Sequence, residues 1–221
     1  MSLFGLDPET VLARARAASV QPQIPTLSRS LLFGAIGFGG VSTLVFATVA
    51  FGERWLYRRL GIGGTYALWT LIFLLGAGGV LSRLVIGPAR TLRFTLLFGC
   101  AFLLYAATWM LAYFVLKNQA SEWLGSLAGS LLMALIFRGA FSAGDAAGKI
   151  IGVLCAGNLA GYFLGRLAWT AAGGKTGMIA WGVIYGIGFG LGLGFTLHAC
   201  QKKVRDALLR SPPDGPQIRA N

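Results

Sequence analysis

The stretch Gly182-Val-Ile-Tyr-Gly-Ile-Gly-Phe-Gly-Leu-Gly-Leu-Gly-Phe195 sets six glycines among otherwise apolar residues. Against alanine, six glycines cost a helix on the order of 6 kcal/mol, enough to melt an isolated helix in water. In hydrocarbon the balance reverses, because each unpaired peptide group costs several kcal/mol and the backbone must bond to itself whatever its side chains prefer. The segment is a helix if its solvent is lipid. A second pattern competes: from Tyr185 to Leu197 bulky residues hold the odd positions and glycines many of the even ones, which is the period of a barrel strand. That alternation is missing elsewhere. The run LLFGCAFLLYAATWMLAYFVL (96–116) is apolar on every face, whereas a barrel strand needs polar residues toward its lumen. The expected fold is all-α, a polytopic integral membrane protein built as a bundle of about six transmembrane helices.

The whole chain supports lipid as solvent. Of 221 residues, 56% are hydrophobic and 12% charged, and the mean hydropathy is +0.70, far from soluble averages. Runs long enough to cross roughly 30 Å of hydrocarbon fall near 30–51, 62–82, 92–116, 122–141, 146–168 and 177–200. The chain divides into an N-terminal segment (1–29), a six-helix membrane domain (30–200) and a basic tail (201–221). In the first part, LDPETVLARARAAS reads as a short surface helix with Asp7 as cap and Pro8 in its first turn, followed by the proline-bearing linker VQPQIPTLS. The residues QKKVRDALLR are expected to prolong the sixth helix, and SPPDGPQIRAN to be a disordered tail. The first 29 residues are too polar for the apolar core of a signal peptide.

The glycines have a spacing. Gly182, Gly186, Gly190 and Gly194 recur every four residues, and Gly188 with Gly192 forms a second row about 200° around the helix. The fifth span carries Gly157, Gly161 and Gly165 in one row and Gly144, Gly148, Gly152, Ala156 and Ala160 in another. Rows of small residues let backbones approach, which is how helices associate where no hydrophobic exclusion operates between them. Spans five and six are therefore expected as a close antiparallel pair, with span six near the middle of the bundle.

Sidedness follows from charge. The N-terminus, the connections after spans two and four, and the C-terminal tail hold 13 of the 19 Lys and Arg residues. The positive-inside bias then places both termini in the cytoplasm of a multi-pass inner-membrane protein. The net charge of +12 is matched by an anionic leaflet, so the expected partners are membrane lipids, with other membrane subunits or further copies of this chain, and no nucleic acid. Trp55, Trp69, Trp109, Trp123, Trp169 and Trp181 all fall toward the opposite ends of their spans. They form an anchoring belt or an outward-facing aromatic cup.

Catalytic chemistry is sparse. His198 is the one histidine, Cys100, Cys155 and Cys200 lack CxxC spacing, and no nucleophile-elbow, zinc-protease or P-loop pattern is present. The chain is not expected to be an enzyme or to need a cofactor or metal. Ionisable and polar groups inside a membrane are the default functional candidates. Asp145 and Lys149, four apart, are expected to pair, with Arg138 joining them as a charge cluster. Asn158, Arg166, Trp169, Trp181 and Tyr185 are the candidates to line a ligand site or path. Two functions fit: binding or passage of a small solute, or a non-catalytic subunit or assembly scaffold of a larger membrane complex. They separate on one point, whether Asn158 and the glycines of span six border a cavity or are packed away.

Overall fold

A computed structural model describes residues 4–18 and 22–210. Within them no strand occurs; the chain runs α1 (Pro8–Ala17), α2 (Leu27–Ile72), a π-turn (Phe73–Ala77), α3 (Gly78–Leu81), a 3-10 turn (Ser82–Leu84), α4 (Arg90–Leu116), α5 (Gln119–Ala140), a 3-10 turn (Gly144–Ala146), α6 (Ala147–Ala172), α7 (Gly174–Cys200) and α8 (Lys202–Arg210). The linker residues 19–21 and the tail 211–221 lie outside the described residues. Five helical runs are long and apolar enough to cross a membrane, the first of them reaching from Leu27 to Leu84.

That first run is two legs. Gly61 adopts φ 68°, ψ 177° in its middle, a region that residues with a side chain rarely enter. The chain reverses there. Phe38 and Phe73 lie with ring centroids 5.7 Å apart, whereas an unbroken helix would hold them about 53 Å apart. Six apolar legs result, and the outward surface suits lipid: Leu32, Ile36, Leu111, Phe114 and Leu167 are exposed. The protein is a polytopic all-α membrane bundle.

Local chemistry sets the helix ends. The Asp7 carboxylate accepts from Thr10 N at 3.0 Å to start α1, Thr26 Oγ1 accepts from Arg29 N to start α2, and Asn118 Oδ1 accepts from Ser121 N to start α5. Lys117 in the left-handed conformation ends α4, and Gly173 (φ 64°) alone separates α6 from α7. Where the sequence reading placed connections, helix persists: the charged stretch Glu53–Arg59 stays inside α2.

α7 is the central post, packed on α6 on one side and the first leg of α2 on the other. Gly182, Gly186, Gly190 and Gly194 face α2. A Cβ on Gly186 would stand 2.6 Å from Gly39 Cα, Gly190 lies against the Gly34 backbone, and Gly194 lies against Ser30. Gly188 and Gly192 face α6, where a Cβ on Gly188 would stand 2.7 Å from Gly161 Cα and one on Gly157 2.7 Å from Gly188 O. Gly165 abuts Trp181. At Gly157, Gly188, Gly190 and Gly194 these contacts are backbone to backbone, closer than a side chain allows, whereas Gly165 and Gly182 make room for the rings of Trp181 and Phe46. The other α6 row differs: a Cβ on Gly148 or Gly152 would meet nothing within 4 Å, and Ala156 and Ala160 are exposed.

The remaining core is an aromatic column. Phe73 and Phe102 stack at 5.3 Å, Phe98 and Phe102 at 5.6 Å and Phe94 and Phe137 at 6.2 Å, while Phe38 meets Phe189 edge-on at 5.2 Å. At one end of the bundle, α1, α8 and the loop before α4 share a small apolar cluster of Val11, Ile86 and Val204. The helix does not run straight from α7 into the tail, since it is interrupted at Gln201. The Gln201 side chain is buried, accepts from Ile86 N at 2.6 Å and donates to Leu84 O at 3.0 Å and Leu197 O at 2.8 Å. It ties the loop to the end of α7.

Candidate functional site

Asn158 sits at the junction of three helices with no exposed surface. Its Nδ2 donates to Ser130 Oγ at 2.8 Å and Ser126 O at 3.2 Å on α5, and its Oδ1 accepts from Tyr105 Oη on α4 at 3.2 Å. Ser130 Oγ in turn donates to Ser126 O. Small residues make the junction possible: a Cβ on Gly129 would stand 3.0 Å from Tyr105 O. The amide thus has both of its polar ends engaged inside the protein. Such interhelical bonds are worth about 0.6–2 kcal/mol each in a membrane.

Above this junction lies an aromatic layer. Tyr185 is buried and meets Phe38, Phe189 and Tyr162 at 6.2, 5.7 and 6.4 Å. Trp181 packs between Phe46 and Tyr162, each at 5.5 Å, and stacks on Trp169 at 5.2 Å. Trp109 stacks on Tyr113 and reaches Tyr162 at 6.3 Å. Asn158, Trp169, Trp181 and Tyr185 therefore share one region, and its interior is filled by rings.

Arg166 does not point free into this layer. It forms an ion pair with Glu122 at the start of α5, with Glu122 18% and Arg166 37% exposed in their side chains. The sequence reading passed over Glu122, which lies on a different helix 44 residues away, and no local spacing signals such a partner. It also passed over Tyr105 and Gln201.

The charge cluster is rearranged. Asp145 pairs with Lys203 of α8 at 3.1 Å, and neither Arg138 nor Lys149 forms an ion pair among the described residues. The reason is local: Gly144–Ala146 is a 3-10 turn, so Asp145 lacks the α-helical register that would bring Lys149 over it. All three side chains are at the surface. His198 is half-buried beside Arg205, whose Nη1 lies 3.3 Å from its Nδ1 and donates to its carbonyl oxygen at 2.9 Å. Among the described residues no group of three His, Cys, Asp or Glu converges as a metal site would require. Cys155 and Cys200 are buried as apolar packing, and Cys100 is exposed on α4.

Four cavities lie at the periphery. One of about 580 Å³ is lined by Gly87–Arg93, and one of about 250 Å³ by Ala15, Ala18, Pro22, Gln23, Gly87, Pro88 and Arg90. Two more, of about 290 and 390 Å³, are apolar grooves, the first between α2 and α7 and the second on α2 around Phe51 and Trp55. Asn158, Arg166, Trp169, Trp181 and Tyr185 line none of the four. Comparison with family models, with curated proteins and with solved structures found no match.

Proposed function

We propose that this chain is a non-catalytic subunit or assembly scaffold of an inner-membrane complex, with both termini cytoplasmic. The observation that carries the reading is the burial of Asn158, whose amide bonds to α4 and α5 where a solute path would leave it facing a cavity. The glycines of α7 support it, because the backbones of α2 and α6 occupy the space that a pore would need. The face left for another membrane helix is the α6 row of Gly148, Gly152, Ala156 and Ala160, small and open to lipid. Orientation rests on the excess of Lys and Arg at the end holding the termini.

Cys155, three residues before Asn158 on α6, gives the test. In a Cys100→Ser/Cys200→Ser background, a membrane-impermeant charged maleimide should leave Cys155 unmodified in intact membranes and modify it after denaturation. Rapid labelling in the native membrane would restore the solute-path reading. A native-gel mass equal to the 23.3 kDa monomer plus its detergent, under extraction gentle enough to keep complexes, would argue against the subunit reading.

A further inference from the structure

We propose that the groove between α1 and the start of α4 binds the phosphate group of an anionic phospholipid. Two guanidinium groups converge there. Arg93 Nη1 and Arg14 Nη2 lie 2.6 and 2.7 Å from the point where a Cβ on Gly5 would stand, and Gly5 has φ +58°, a conformation that favours glycine. Arg14 is held in place by donating from Nη1 to Gly5 O at 2.9 Å, and Arg90 by donating to Val85 O at 2.9 Å. The ion pairs of the described residues are Glu122–Arg166, Lys202–Asp206 and Lys203–Asp145, and Arg14, Arg90 and Arg93 belong to none of them. Two cations side by side repel, and an anion between them turns that repulsion into attraction. The forked donors of arginine match phosphate oxygens.

Space and rigidity are present as well. The cavities of about 580 and 250 Å³ share Gly87, Pro88 and Arg90; Arg93 lines the larger, and Ala15, next to Arg14 on α1, lines the smaller. Their floor is pinned by Gln201 through Ile86 and by the Val11–Ile86–Val204 cluster. An apolar lane distinguishes a lipid from a free phosphate. Leu92, 70% exposed, lines the larger cavity next to Arg93, and Leu96, one turn further into the membrane span, is 54% exposed. A soluble phosphate would use the arginines alone, whereas an amphiphile uses the arginines for its headgroup and the leucines for its chain.

Native mass spectrometry of the full chain in detergent, with phosphatidylglycerol or phosphatidylcholine of matched acyl chains added, reads the site directly. Phosphatidylglycerol should be retained about tenfold better. Arg14→Gln/Arg93→Gln should bring the ratio close to one, while Arg58→Gln/Arg59→Gln near the Gly61 turn should leave it unchanged. Excess glycerol phosphate should fail to displace the bound lipid. Equal retention of the two lipids by the wild type would overturn the proposal, and so would a folded Arg14→Gln/Arg93→Gln variant that keeps the preference. Displacement by that excess of glycerol phosphate would overturn the lipid as occupant. If the double variant does not fold, the wild-type comparison and Arg93→Gln alone decide, with loss of preference expected.

Discussion

Replacing Gly188 by alanine adds one methyl group where the α6 and α7 backbones touch. That methyl carbon would stand 2.7 Å from Gly161 Cα, 2.9 Å from Gly157 O and 2.9 Å from Gly161 N. All three are backbone atoms, so no rotamer change relieves the overlap. Ordinary carbon contacts lie at about 3.5–4.0 Å, and the two helices must separate by roughly 1 Å along a length that carries the Asn158 junction. Overpacking of this kind costs about 1–3 kcal/mol. Alanine's intrinsic helix advantage of about 1 kcal/mol offsets little, because lipid already enforces the helix. Gly152→Ala on the opposite row of α6 is the control, since its methyl meets nothing within 4 Å and its effect should stay within about 0.5 kcal/mol. Unfolding in mixed micelles titrated with dodecyl sulfate, followed by far-ultraviolet circular dichroism, measures both. If Gly188→Ala proves as stable as Gly152→Ala, the close approach of α6 and α7 is refuted.

Asn158→Leu should lose about 1–3 kcal/mol in the same assay, because it removes three hydrogen bonds and leaves Tyr105 Oη and Ser130 Oγ facing apolar surface. Gly61→Val should strain the reversal at φ 68° by roughly 1–3 kcal/mol, read as a lowered midpoint for the whole bundle. Gln201→Ala frees the Ile86 N–H and two carbonyl oxygens. Limited proteolysis should then cut between Leu84 and Arg93 faster than in the wild type, while cleavage elsewhere keeps its rate.

Much of the fold was legible because lipid simplifies the problem. An apolar run must be helical, and the positions of all six legs follow from the hydropathy of the chain. The four-residue spacing of Gly182, Gly186, Gly190 and Gly194 announced a bare helix face, although which neighbour fills it could not be read from α7 alone. Its partner surface, Ser30, Gly34 and Gly39, is on the first leg. Contacts between helices distant in sequence stayed hidden for the same reason. Glu122 meets Arg166 and Gln201 meets Ile86 through tertiary geometry, and their types, a carboxylate at a helix start and a glutamine at a helix end, have unremarkable local explanations. The Asp145–Lys149 pairing failed on a local point, a 3-10 turn where an α-helical first turn was assumed. Glycine at 144 and 148 weakens the preference between the two.

The central claim is that α7 stands in a closed interior with no water beside it. Spin labels placed singly at Ile187, Phe189, Leu191 and Leu193, with the protein in lipid bilayers, test it through collision with oxygen, which partitions into lipid, and with a water-soluble nickel chelate. Ile187 and Leu191 are exposed on the lipid side, 44% and 39%, while Phe189 and Leu193 are fully buried. The account predicts oxygen access at 187 and 191, and little access by either reagent at 189 and 193. Collision of the nickel chelate with a label at 189 or 193 would reveal a water-filled path and contradict it.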